Sequence, residues 1–181
     1  MRIIKVSFLI LLLAIIWQGC NPDPKTRIRD LEKKIGSESF ILDDKGMALS
    51  GELIRSYLDF AESHKDDPSS PEFLYKAADL SLNTGQSKQS LDLYNRIIYQ
   101  YPNFEKVPEC LFLVGYIYEN YFQELGKAKS VYEAFLAKYP EHDFADDARV
   151  SIENLGKSPE ELIRYFEEKN KALSDTLTSM K

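Results

Sequence analysis

The sequence predicts an all-α chain: a short α–α superhelix, or solenoid, of antiparallel helix hairpins. Three observations predict it. An aromatic is followed eight residues later by a proline three times, at Phe60 and Pro68, Tyr94 and Pro102, and Tyr132 and Pro140. The aromatics themselves step by 34 and then 38 residues, and a further step of 34 reaches Phe166. Recurrence at that spacing marks stacked helix pairs rather than one globular core. Finally, apolar residues from Met47 onward recur every three or four positions between prolines and glycines, the pattern of amphipathic helices.

The elements follow in chain order. Residues 1–19 read as a secretory leader, with Arg2 and Lys5 before an apolar run from Val6 to Trp17 that is too short to span a bilayer. Residues 20–46 read as a tether and a short charged helix. Pro22 and Pro24 block helix and favour an extended stretch. Ile28, Leu31 and Ile35 then mark a helix from Thr26 to Ile35, ended by Gly36, and Ser37 to Gly46 reads as irregular. Neither segment offers much core.

Residues 47–177 form the repeat domain, with a tail over 178–181. Leu49, Leu53, Tyr57, Phe60 and Ala61 make the stripe of its first helix, with Arg55, Asp59 and Glu62 facing away. Ser70 is placed to cap the next helix, with Pro71 at its first position and Thr84-Gly85 closing it. Its partner runs from Ser87 to Tyr101 with Leu91, Tyr94, Ile97 and Ile98 inward, stopped by Pro102. Pro108 opens a helix to about Phe122, and Gly126 marks the next turn. Lys127 to Lys138 carries Ala128, Val131, Tyr132 and Phe135 up to Pro140. Phe144 to Leu155 and Pro159 to about Leu177 form the last pair, the latter begun by the capping-box residues Ser158 and Glu161. Arg164, Glu167, Glu168 and Lys169 give that last helix a solvating side.

Composition excludes several functions. Formal charge is −6, and the leader holds two of the cations, so the remainder is more acidic still. Nucleic-acid binding needs clustered cations to release counterions. Electrostatic adhesion to anionic lipid needs them too. His64 and His142 belong to different repeats and no metal-spaced cluster. Cys110, in an apolar helical run, reads as a small buried hydrophobe with no base partner. No glycine-rich phosphate loop is present. No catalytic role, cofactor or metal is expected.

Ala128, Tyr132 and Pro140, with Ser90, Tyr94 and Pro102 and the half-repeat Ser56, Phe60 and Pro68, resemble the tetratricopeptide repeat. Ala78 and Gly85 fit the family pattern in one repeat, Gly115 and Tyr118 in the next, though the family's Trp is missing. The resemblance implies a concave surface lined by the first helix of each pair. Aligned on the motif, Tyr75, Asp79 and Asn83 occupy that surface in one repeat, and Phe112, Tyr116 and Asn120 in the next. Each triplet runs i, i+4, i+8 along one stripe. Asn offers donor and acceptor to a peptide backbone, so the six residues are a candidate peptide groove; the aromatics are equally open to a core-packing role.

Gly19-Cys20 after the leader resembles a bacterial lipobox. The resemblance implies lipidation of Cys20 and a mature chain beginning there; an ordinary signal peptide and an uncleaved anchor are the alternatives. A thioether at Cys20 would forbid a Cys20–Cys110 disulfide. Asn21 is not the Asp that retains such proteins at the inner membrane, which favours the outer membrane. The two resemblances together suggest a small tetratricopeptide lipoprotein of the outer-membrane-assembly or division-coordination kind. Its partner would be an envelope protein or peptide segment, with the membrane reached through lipid alone. A self-associating structural lipoprotein is the alternative.

Overall fold

The computed structural model describes residues 23–37 and 43–179. The leader, the lipidation assigned to Cys20, Asn21 and Pro22, half of the expected irregular connection and the last two residues of the tail lie outside them. The described residues form eight helices and no strand: α1 (Pro24–Ser37), α2 (Asp44–Ser63), α3 (Ser70–Asn83), α4 (Ser87–Gln100), α5 (Val107–Asn120), α6 (Leu125–Lys138), α7 (Ala145–Asn154) and α8 (Pro159–Ser179). No helix among them is long and apolar enough to cross a membrane. The chain falls into two compact units that meet in sequence at Thr84 and Gly85.

In the N-terminal unit, α1 differs from its expected form. Pro24 opens the helix rather than extending a tether. Asp23 caps it, accepting the Thr26 N–H at 3.1 Å, and proline at the first helical position sacrifices no hydrogen bond. Nor is α1 peripheral. Ile28 and Leu31 are buried, each contributing about 1.5–3 kcal/mol, and α1 packs on α2. That burial outweighs the exposed Arg27–Glu52 pair at 3.1 Å, since such pairs contribute about 1 kcal/mol at most. α2 starts three residues before Met47 because Asp43 accepts the Gly46 N–H at 2.7 Å.

The turns reveal the repeat. α2, α4 and α6 end alike: His64, Tyr101 and Tyr139 have φ near −130° and donate their N–H to Phe60, Ile97 and Phe135. Two further backbone bonds recur in each turn. Asp67, Phe104 and His142 donate to those cap carbonyls, and Ser70, Val107 and Ala145 donate to Asp67, Phe104 and His142. The equivalent residues therefore step by 37 and 38, which corrects the register of the first half-repeat. Tyr57, not Phe60, is the counterpart of Tyr94 and Tyr132, and Pro68 has no counterpart in Pro102 or Pro140.

Tyr57 confirms the correction chemically. Its hydroxyl donates to Glu32 on α1 at 2.8 Å, as Tyr132 donates to Glu119 on α5 at 2.8 Å. Tyr165 donates in the same way to Glu153 on α7. Each is a tyrosine on the second helix of a hairpin bonded to a glutamate on the first. Burial, then the carboxylate itself, pushes the Tyr57 and Tyr132 hydroxyls well above their ordinary range, so both remain donors. Tyr165 thus fills the place expected for Phe166, which is exposed.

Lys25 and Asp67 tie α1 to the α2–α3 turn. The Lys25 ammonium donates to Asp67 and to Ser69 Oγ, each at about 3.0 Å, and lies 5.1 Å from the Phe60 ring centre. Ser70, expected as a cap, instead sends its hydroxyl back to the His64 carbonyl at 2.5 Å. Asp67 fixes the turn by accepting the Ser69 N–H at 2.8 Å. That bond first, and Lys25 second, hold the Asp67 carboxyl at about 2. A depressed carboxyl stabilises the fold above its unfolded value of about 3.9 and loses that contribution as pH falls through its folded value. Asp67→Asn should therefore lower Tm at pH 6, with the gap from wild type closing between about pH 4 and pH 2.

The C-terminal unit packs α4 on α5, α5 on α6 and α6 on α7. Gly115 lets α5 approach α6, since a Cβ there would lie 2.7 Å from the Tyr132 ring. The turn between these helices is not made by Gly126, which lies within α6; Gln123 takes the left-handed conformation instead, at φ 54°. Ser90 stands where the family pattern has Ala, and its buried hydroxyl has no hydrogen-bond partner. Ser90→Ala should raise stability by about 1 kcal/mol, the cost of leaving such a group unsatisfied, measurable by denaturant titration.

The last helix begins where expected. The Ser158–Glu161 capping box forms, with bonds of 2.8 and 3.2 Å. Polar and cation–π contacts join α7 and α8. Tyr165 meets Glu153, Lys157 lies 3.8 Å from the Tyr165 ring centre, and Lys169 is 3.8 Å from Glu153.

Candidate peptide-binding surface

The turn equivalence supports the alignment behind the six candidate residues. α3 and α5 begin at equivalent positions, so Tyr75 corresponds to Phe112, Asp79 to Tyr116 and Asn83 to Asn120. Three lie in each unit. In the N-terminal unit, Tyr75 and Asp79 are half-buried and Asn83 is exposed in the last turn of α3.

Beside them on α3, Lys76 reaches Glu32 at 2.7 Å. Burial works to raise the Glu32 carboxyl, but hydrogen bonds from Lys76 and Tyr57, with the charges of Lys76 and Arg29, outweigh it and keep the carboxyl below its usual range. This cluster joins α1, α2 and α3.

In the C-terminal unit the triplet divides between two roles. Phe112 packs into the core, with its ring 4.8 Å from Phe144, 5.5 Å from Tyr132 and 5.9 Å from Phe135. Tyr116, one turn on, is 38% exposed. Its ring meets Tyr121 edge-on at 6.1 Å, and Tyr121 is 44% exposed. Asn120 is exposed and donates its amide to the Tyr116 carbonyl at 3.0 Å. A second N–H and the amide oxygen remain to engage a ligand. Two exposed tyrosine rings beside an amide form an amphipathic surface suited to a peptide, with ring faces for side chains and polar groups for backbone.

Sequence reasoning missed Tyr121. It lies one residue beyond α5, where helix periodicity no longer indicates facing. It also missed Val150 on α7, exposed at the position equivalent to Phe112, because the alignment stopped at two repeats. Both histidines serve turns. His64 stacks on Phe60 at 4.4 Å, and His142 Nδ1 accepts the Phe144 N–H as Asp67 accepts that of Ser69. Cys110 is fully buried. Among the described residues, no group of three or more His, Cys, Asp or Glu is placed to hold a metal ion.

A family profile for the tetratricopeptide repeat matches residues 72–103 and 109–142. The first match takes in most of α3 and all of α4, the second most of α5 and all of α6. The chain therefore carries tetratricopeptide repeats, and the all-α class of helix hairpins is the one observed. No curated protein matches the chain.

Proposed function

We propose that this protein is a lipid-anchored adaptor of the bacterial cell envelope, facing the periplasm or the cell surface from the outer membrane. It docks a segment of another envelope protein on its repeats. Tetratricopeptide repeats generally bind protein or peptide, and the chain has them. The observation that carries the reading is the exposed Tyr116–Tyr121 pair beside Asn120, within a matched repeat. Tyrosine is enriched at binding surfaces, where its ring packs and its hydroxyl stays wet. The anchor reading rests on Gly19-Cys20 behind an apolar leader. Two or more acyl chains, at about 0.8 kcal/mol per buried CH₂, hold a protein on a bilayer without any apolar face of its own.

The test has two arms. A photo-crosslinking amino acid at Tyr116 in the full chain should trap one distinct envelope protein in cells, and Asn120→Ala should weaken that adduct. The same group at Lys88 should not trap it. Absence of an adduct, or equal yield from both positions, rejects the docking surface. Alkyne-palmitate labelling should mark the wild-type chain and not Cys20→Ser; an unlabelled wild type rejects the anchor.

A further inference from the structure

The repeat turns carry the α5 stripe onto α7. Val107 and Ala145 make the same turn bond, so Asp147 is the counterpart of Glu109, and Val150 of Phe112. Glu109, Phe112, Tyr116 and Asn120 lie at steps of three and four along α5, and Asp147, Val150 and Asn154 repeat those steps on α7. The two stripes meet where the Phe112 ring stacks on Phe144, 4.8 Å away. Asp147 follows Phe144 by three residues, on the same side of the helix start. The surface of Tyr116 and Tyr121 thus continues to exposed Asp147 and to Val150, itself 50% exposed.

Charge is segregated in this unit. On α4 and α6 the carboxylates are matched by lysines of the same helix, Asp92 by Lys88 and Glu133 by Lys129, and Lys138 adds a cation in the last turn of α6. α5, α7 and the turns before them hold Glu105, Glu109, Glu141, Asp143, Asp146 and Asp147, and their cations are Lys106 and Arg149. Arg149 is engaged by Asp146 at 2.6 Å and by the Pro140 carbonyl. Glu119 bonds to a tyrosine hydroxyl, which brings it no counter-charge. A helix dipole favours acids in first turns, but it equally favours cations in last turns, and α5 and α7 have none there. The dipole therefore leaves the excess of acid unexplained.

Edge-on packing of Tyr116 and Tyr121 leaves ring face open to solvent, and a tyrosine face attracts a cation. The surrounding carboxylates share that preference: their field steers a cationic partner in and repels an acidic one. We propose that the segment docked at Tyr116 and Tyr121 is a cationic peptide stretch, with lysine or arginine on the tyrosine rings and facing Asp147. The proposal rests on the adaptor reading of this surface and names the chemical class of its partner.

Random short peptides displayed on phage and selected on the immobilised full chain, in detergent, test it. Peptides retained by wild type and released by Tyr116→Ala should be enriched in lysine and arginine over the input library. Made synthetically, they should bind Asp147→Asn at least threefold more weakly than wild type, and Glu133→Gln on α6 as well as wild type. Rising salt should weaken them further, because screening shortens the reach of the charges. Tyr116 and Asp147 are exposed, so both variants should stay folded in a thermal melt. Peptides that need Tyr116 but are neutral or acidic would overturn this proposal and leave the docking surface standing. Basic peptides held equally by Tyr116→Ala would reveal mere adhesion to an acidic chain and overturn it. A photo-adduct from position 116 at twice the chain mass would assign the surface to a second copy, which also overturns it. If no selected peptide needs Tyr116, the docking surface is rejected and the proposal with it.

Discussion

Tyr132→Ala should destabilise the C-terminal unit by about 3–5 kcal/mol, the range for removing a buried aromatic. Tyr132 is fully buried against α5, where its ring fills the gap opposite Gly115 and contacts Phe112. Its hydroxyl reaches Glu119 at 2.8 Å. Truncation removes the ring and leaves that carboxylate without its donor. Tyr132→Phe separates the two contributions: it keeps the ring and should cost about 1.5–3 kcal/mol, the net value of a hydrogen bond to a charged group. Denaturant titration followed by circular dichroism measures both. Equal losses in the two variants would show that the hydroxyl, not the ring, holds the hairpin.

The second prediction reverses sign with its background. In wild type, Gly115→Ala places a methyl 2.7 and 2.8 Å from two Tyr132 ring carbons. The ring is buried and tied at its hydroxyl, so it yields poorly. Overpacking of this kind costs about 1–3 kcal/mol, and alanine's better helix propensity returns about 1 kcal/mol. The balance is a net loss. With Tyr132→Ala already present the obstruction is gone, and Gly115→Ala should then stabilise by about 1 kcal/mol. A double-mutant cycle reads the difference directly. The same loss in both backgrounds would mean that Gly115 serves α5 in some way other than close approach.

The interval between aromatic and proline was legible because it reflects a steric necessity. Tyr94 and Tyr132 fill hairpins, and Pro102 and Pro140 follow caps that cannot continue as helix. The same interval misled at Phe60 and Pro68. Two aromatics, Tyr57 and Phe60, lie one turn apart on the buried face of α2, and a spacing rule cannot choose between them. Only the bond to Glu32 and the shared cap do so, and both are three-dimensional. α1 was underestimated for a related reason. With Pro22 before it, Pro24 at its start and few apolar residues, nothing local reveals that Ile28 and Leu31 meet α2. At the candidate surface, the repeat alignment placed the α5 residues on one helix stripe. It could not tell that Phe112 turns inward while Tyr116 stays in water, because neighbours from α6 and from the turn before α7 decide that. The expected helices α7 and α8 are both present, but Tyr165 rather than Phe166 faces Glu153.

The cap at Asp23 has a consequence for geometry at the bilayer. Folded backbone is already in place three links after Cys20. At no more than about 3.6 Å per residue, that leash spans roughly 11 Å. On the lipid-anchored reading the N-terminal unit is berthed against the headgroups, its α2–α3 corner clasped close by through Lys25. Such a protein would patrol a thin layer of solvent, and clients many nanometres away would have to come to it.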